Sequence, residues 1–224
     1  MFLIVGIASI GLSAIVSWWM KRTYAKWSSV PNKLGHTGES VARYILDTNN
    51  LQHVKMEISK GQLSDHYIPS QDLLRLSDSI NNGKSIASIA VAAHEVGHAI
   101  QDGTEYSLLK LKAVLMPAAA MGNQFGVIGV IAGGMLGINL LVNLGLGMVF
   151  MGILIQLLTL PIEIDASKRA LDELTRLNLV DESDYKGAKS MLTAAAFTYL
   201  ASAATSSAYM AVFVSSMMRG RRLF

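Results

Sequence analysis

The chain has 224 residues, 51% of them hydrophobic and only 16% charged, with a net charge of +3 and a mean hydropathy of +0.38. This composition excludes an ordinary soluble domain, and basic residues set beside apolar stretches argue for membrane anchoring and no nucleic-acid partner. The absence of cysteine excludes disulfides and thiolate metal ligands.

Residues 1–20 carry no charge and are followed by Lys21, Arg22 and Lys26. A cleaved signal peptide places its positive charge before the apolar core, and here the order is reversed. The pattern predicts an uncleaved transmembrane helix over 1–20, with its N-terminus outside and residue 21 onward in the cytoplasm. Trp18, Trp19 and Trp27 fit an interfacial aromatic belt.

Residues 21–106 form the most polar region. Thr37 reads as the cap of a helix through Val41, Tyr44, Ile45 and Leu46 that fades at Asn49 and Asn50. Val54, Met56 and Ile58 alternate with Lys55, Glu57 and Ser59, which predicts a half-buried strand, and Lys60-Gly61-Gln62 reads as a turn. A second extended segment is expected around Leu73 to Ser77. Asn81-Asn82-Gly83 breaks the chain before a helix from Ser85 to Gln101. These elements predict a small α+β unit.

That last helix holds His94-Glu95-Val96-Gly97-His98, an HExxH pattern. Positions i and i+4 share a helix face, so both imidazoles can bind one metal ion. Glu95, beside the first histidine, is placed to take a proton from a metal-activated water.

No Lys or Arg lies between Lys112 and Lys168, and no acid between Glu105 and Glu163. Residues 107–161 therefore read as a transmembrane hairpin, with spans at about 108–132 and 140–161 and a turn among Gly133, Gly134 and Gly137. A hairpin returns residues 162–190 to the side that holds His94 and His98. The charge-free stretch within 191–218 reads as a fourth span, followed by a basic tail, 219–224. The predicted fold class is thus a mainly α integral membrane protein of about four transmembrane helices, with a small cytoplasmic α+β unit resembling the zincins.

A zinc hydrolase without cysteine needs a third protein ligand and an open position for water. The candidates are His36, His53 and His66 upstream and Glu163 and Asp165 downstream. The metzincin spacing fails, because Thr104 stands where its third histidine would be.

Several blocks together resemble the YugP-type membrane zinc metallopeptidases. They are Thr37-Gly38 ahead of Val41 to Leu46, Asp65-His66-Tyr67 ahead of Arg75-Leu76-Ser77, Val91 to Gln101, and Leu160 to Ser167. The layout is also similar to that of the HtpX and CAAX-prenyl proteases, in which two spans separate HExxH from a Glu ligand. The resemblance implies one zinc ion per chain, held by His94, His98 and Glu163, with Glu95 as the catalytic acid and base. Asp165 is the rival ligand, but it lies about 200° round a helix from Glu163. Ser167 departs from the resembled pattern, which has an Asp there to support the first histidine.

These residues lead to the expectation of a multi-pass plasma-membrane endopeptidase acting on membrane or membrane-proximal proteins at the cytoplasmic face. His66 and Tyr67 are candidate oxyanion donors, and the segment around Leu73 to Ser77 is a candidate for pairing with a substrate strand. The competing readings are a site-2-type intramembrane protease and a non-enzymatic scaffold or metal carrier. A fourth protein ligand from His36, His53 or His66 closing the zinc site would favour the latter.

Overall fold

A computed structural model of the chain describes residues 2–61 and 64–220. In chain order the elements are α1 (Phe2–Ser28), α2 (Gly38–Thr48), β1 (Lys55–Ser59), β2 (His66–Ile68), β3 (Leu73–Ser77), α3 (Asp78–Asn81), α4 (Ile86–Gly103), α5 (Ser107–Met121), α6 (Val127–Leu136), α7 (Asn139–Arg176) and α8 (Glu182–Gly220). A π-helical turn, Gly122–Gly126, joins α5 to α6. The chain is mostly helical with one small sheet. Arg221 and Arg222 of the expected tail, and Gln62 of the expected turn, lie outside the described residues.

Contacts divide the chain into two compact units. One comprises Val16–Tyr106 and Ile162–Thr198 and contains the sheet and the HExxH helix. Its core forms where the amphipathic α2 lays Val41, Ala42, Ile45 and Leu46 against Ile89, Ala92, Ala93 and Val96 of α4. Caps define both helices. Thr37 accepts from the Ser40 amide while the Ser40 hydroxyl accepts from that of Thr37, and Ser85 accepts from the Ser88 amide. Each such cap satisfies amides that a helix start leaves bare, for about 1 kcal/mol.

The sheet has the order β1-β3-β2, with β1 parallel and β2 antiparallel to β3. Both expected strands exist, but two details differ. Leu73–Ser77 is the central strand, buried at Leu74 and Leu76, so both of its edges are taken and it cannot add a substrate strand. Ile58 is exposed rather than inward-facing, because β1 is an edge strand with one covered neighbour.

The other unit comprises Met1–Ile15, Ser107–Pro161 and Tyr199–Phe224. α6 and α7 follow one another through a turn at Gly137, but among the described residues only α7 of the expected pair of spans is long and apolar enough to cross a membrane. Gly137 closes α6 in the left-handed region (φ 70°), a conformation that glycine adopts without steric cost. The glycines also pack. A Cβ on Gly122 would lie 2.2 Å from the Met148 carbonyl oxygen, and one on Gly145 would lie 2.6 Å from that of Gly126. Small residues let apolar helices meet backbone to backbone in this way. Gln156, polar within the apolar arm of α7, is bonded by the Ser202 and Ser206 hydroxyls of α8.

Among the described residues, two helices, not about four, are long and apolar enough to cross a membrane: Leu3–Ser28 and Asn139–Arg176. The 107–136 arm falls short because Pro117 and the π turn divide it into shorter pieces. In α8, Ala, Ser and Thr supply too little transfer energy. The two qualifying helices overrun their expected ends. α1 continues past Met20 to Ser28, where Arg22 stacks over Trp18 and Lys26 over Trp27. α7 continues through Pro161 as far as Arg176, so Glu163 rides on the same helix as the apolar arm.

Candidate metal centre

α4 carries His94 and His98 one turn apart on a single face, and their rings meet edge to face at 4.9 Å. α7 brings Glu163 to the same face. His94 Nε2 lies 3.2 Å and His98 Nε2 lies 3.5 Å from Glu163 Oε2. Ligand atoms of the three residues all fall within 4.8 Å of one another, close enough to hold one metal ion. Two imidazoles and one carboxylate are a donor set suited to zinc.

The helices must approach closely for this convergence, and Gly97 permits it. A Cβ at Gly97 would stand 2.4 Å from the Ala166 carbonyl oxygen and 3.1 Å from its carbon. The variable position before the second histidine is therefore the contact point between α4 and α7.

Each histidine is also held from behind. Nδ1 of His94 lies 3.1 Å from Ser167 Oγ. Ser167 thus occupies the place of the expected Asp and makes the contact with a hydroxyl. Nδ1 of His98 lies 3.0 Å from Gln101 Oε1. Gln101 Nε2 in turn donates to the Ile162 carbonyl at 2.7 Å and to Asp165 Oδ2 at 2.9 Å, and Arg169 Nε donates to Asp165 at 2.6 Å.

Burial opposes the charged form of His98, but the hydrogen bond to Glu163 and the charge of Glu95 outweigh it and raise its pKa. Glu95 is buried on α4 and is not one of the three clustered donors.

The other sequence candidates stand elsewhere. Asp165, the rival ligand, is committed to Gln101 and Arg169. Tyr67 gives its hydroxyl to Asp102 at 3.0 Å; burial first, and the Asp102 charge next, push its pKa well up, so it stays a donor. His66, exposed at the start of β2, has Nδ1 2.7 Å from the Ser64 carbonyl oxygen. His53 faces Asp72 at 3.8 Å, and the His36 amide donates to Asn32 Oδ1 at 3.0 Å. Among the described residues the cluster has no fourth His, Cys, Asp or Glu member. Gln101 had a signal in the sequence that went unread: it sits three residues after His98, on the same helical face.

Two histidines one helical turn apart, with a glutamate from a second helix beside them, match the His2Glu donor set of HExxH zinc peptidases. Residues 1–218 match the family described as "Putative neutral zinc metallopeptidase", and the chain belongs to that family. It is 35% identical over 221 residues to a Bacillus subtilis (strain 168) protein named "Putative membrane protease YugP", across 99% of this chain and 98% of the relative. No solved structure matches.

Proposed function

We propose that the chain is a membrane-bound, zinc-dependent endopeptidase that cleaves membrane or membrane-proximal proteins. The observation that carries this reading is the convergence of His94, His98 and Glu163 from two helices within 4.8 Å. These three residues would hold one zinc ion, with Glu95 beside them on the solvent-screened face of α4. Zinc, when bound there, acidifies a water and polarises the scissile carbonyl. Glu95 accepts the proton as the water oxygen attacks the carbonyl carbon, and delivers it to the departing amine nitrogen as the C–N bond breaks. Ser167 and Gln101 hold the two imidazoles so that their Nε2 atoms face Glu163.

Three observations support this reading over the alternatives. Structural zinc sites are closed by four protein ligands, and this cluster has three described members. The HExxH helix is packed into the unit that holds the sheet rather than being a candidate span, which disfavours the site-2-type reading. The packing of α4 beside a small mixed sheet supports the zincin-like reading of this unit. Lys21, Arg22 and Lys26 at the end of α1 support a cytoplasmic position for the site, and the glycine-packed hairpin supports a multi-pass topology.

The reading is tested by metal removal. Chelator treatment of the purified chain should abolish cleavage of an unfolded protein substrate, and stoichiometric Zn2+ should restore it. Chelator-resistant cleavage would overturn the assignment. The Ser167 contact gives a second expectation. Ser167→Ala should weaken zinc binding by about tenfold, the lower end of the range for outer-shell partners. Ser167→Asp should bind at least as tightly as wild type, because a carboxylate is a better acceptor for His94 Nδ1–H. Equal zinc affinity in Ser167→Ala and wild type would mark the contact as incidental.

A further inference from the structure

Gln101 is fully buried on α4, and both polar atoms of its side chain are bonded. Its amide can be oriented from those partners alone. The Nε2 end faces two pure acceptors, the Ile162 carbonyl and the Asp165 carboxylate; a flipped amide would set oxygen against oxygen twice. That leaves Oε1 on Nδ1 of His98 at 3.0 Å. An acceptor at Nδ1 requires that nitrogen to carry the proton, so the lone pair of neutral His98 lies on Nε2, the atom that faces Glu163. Asp165 is itself fixed by Arg169 at 2.6 Å. His94 has no such device, because the Ser167 hydroxyl rotates and can serve either tautomer.

We propose that Gln101 is a positioning residue for the metal centre: oriented by Asp165 and the Ile162 carbonyl, it presents His98 in the Nδ1–H form with Nε2 free for the cation. The inference rests on the metal-site reading above and assigns what aligns that site. Ile162 and Asp165 flank Glu163 in sequence. One side chain on α4 therefore sets the tautomer of one donor and ties its helix to the turn that bears another.

The test uses the full chain purified in detergent, Zn2+ titrated against a chromophoric chelator, and the visible spectrum of the Co2+-loaded protein. Gln101→Leu should lower Zn2+ affinity by about 10- to 100-fold, as loss of an outer-shell partner does, and should shift the cobalt bands. Q101E keeps an acceptor toward His98 but sets oxygen against both the Ile162 carbonyl and the Asp165 carboxylate, and should be similarly weakened. Gln101→Met has nearly the same length and volume but offers no acceptor to Nδ1 of His98, so it should be weakened like the leucine variant. Since Gln101→Met preserves side-chain size, it decides the matter if the leucine variant fails to fold. Wild-type affinity and spectrum in Gln101→Leu or Gln101→Met would overturn the proposal. A wild-type chain that binds no Zn2+ would overturn the metal-site reading itself. Variants indistinguishable from a zinc-binding wild type would overturn only the role of Gln101.

Discussion

Glu95→Gln is expected to lower peptide cleavage by about 100-fold or more, the contribution typical of a general acid–base group, while leaving zinc bound. The substitution changes one oxygen for an NH2 group and keeps the side chain's shape in its buried position on α4. Glu95 is not among the clustered donors, so the ligand set remains whole. What disappears is a group able to take a proton and give it back. The Glu95 charge also helps to raise the pKa of His98, so the substitution should lower that pKa. Steady-state cleavage beside zinc content separates the outcomes. Cleavage at the wild-type rate would sink the mechanism. Loss of cleavage together with loss of zinc would move Glu95 from proton transfer to metal support.

Much of this arrangement is legible in the amino-acid sequence, and the reasons differ by element. The HExxH helix declared itself through period, caps and breakers: Ser85 at the start, Asn82-Gly83 before it, and no proline within. Glu163 is singled out by a resemblance, since nothing in local pattern brings together two residues 69 positions apart. The number of spans was overcounted because composition does not show where a helix is interrupted. Pro117 and the π turn divide one arm, and the Ala/Ser/Thr composition of α8 is permissive rather than hydrophobic. Pro161 misled in the opposite sense. It read as a boundary, yet α7 runs through it, giving up the one bond that its missing N–H would have made to Leu157. Sheet order was also out of reach. Alternation indicates that a segment is a strand, but whether Leu73–Ser77 lies at an edge or in the centre depends on pairing partners elsewhere in the chain.

Gly97→Ala is expected to cost the chain its metal site, although by helix propensity alone it should stabilise α4 by up to about 1 kcal/mol. The opposing effect is steric. The added methyl would lie 2.4 Å from the Ala166 carbonyl oxygen, and the next nearest atoms, at 3.1 and 3.2 Å, are also Ala166 backbone. No side chain can rotate away to make room, so α4 and α7 must separate, by about 1 Å if an ordinary contact is to be restored. Overpacking of this kind costs about 1–3 kcal/mol, which cancels or exceeds the propensity gain. Function is more exposed than stability. Ala166 lies three residues beyond Glu163 on the same helix, so a shift at one moves the other. Metal–ligand distances tolerate only about 0.2 Å, and a displacement several times larger should reduce zinc affinity by about two orders of magnitude, the scale seen when a site's supporting geometry is lost. Gly103→Ala is the matched control on the same helix. Its closest obstacle, at 2.8 Å, is the Leu51 Cδ2 methyl, a side-chain end that can swing aside, and zinc affinity should stay near wild type. Zinc titration and thermal unfolding of both variants give the comparison. A Gly97→Ala protein that holds zinc as tightly as Gly103→Ala would mean that the close crossing of α4 and α7 is not what brings the two histidines to Glu163.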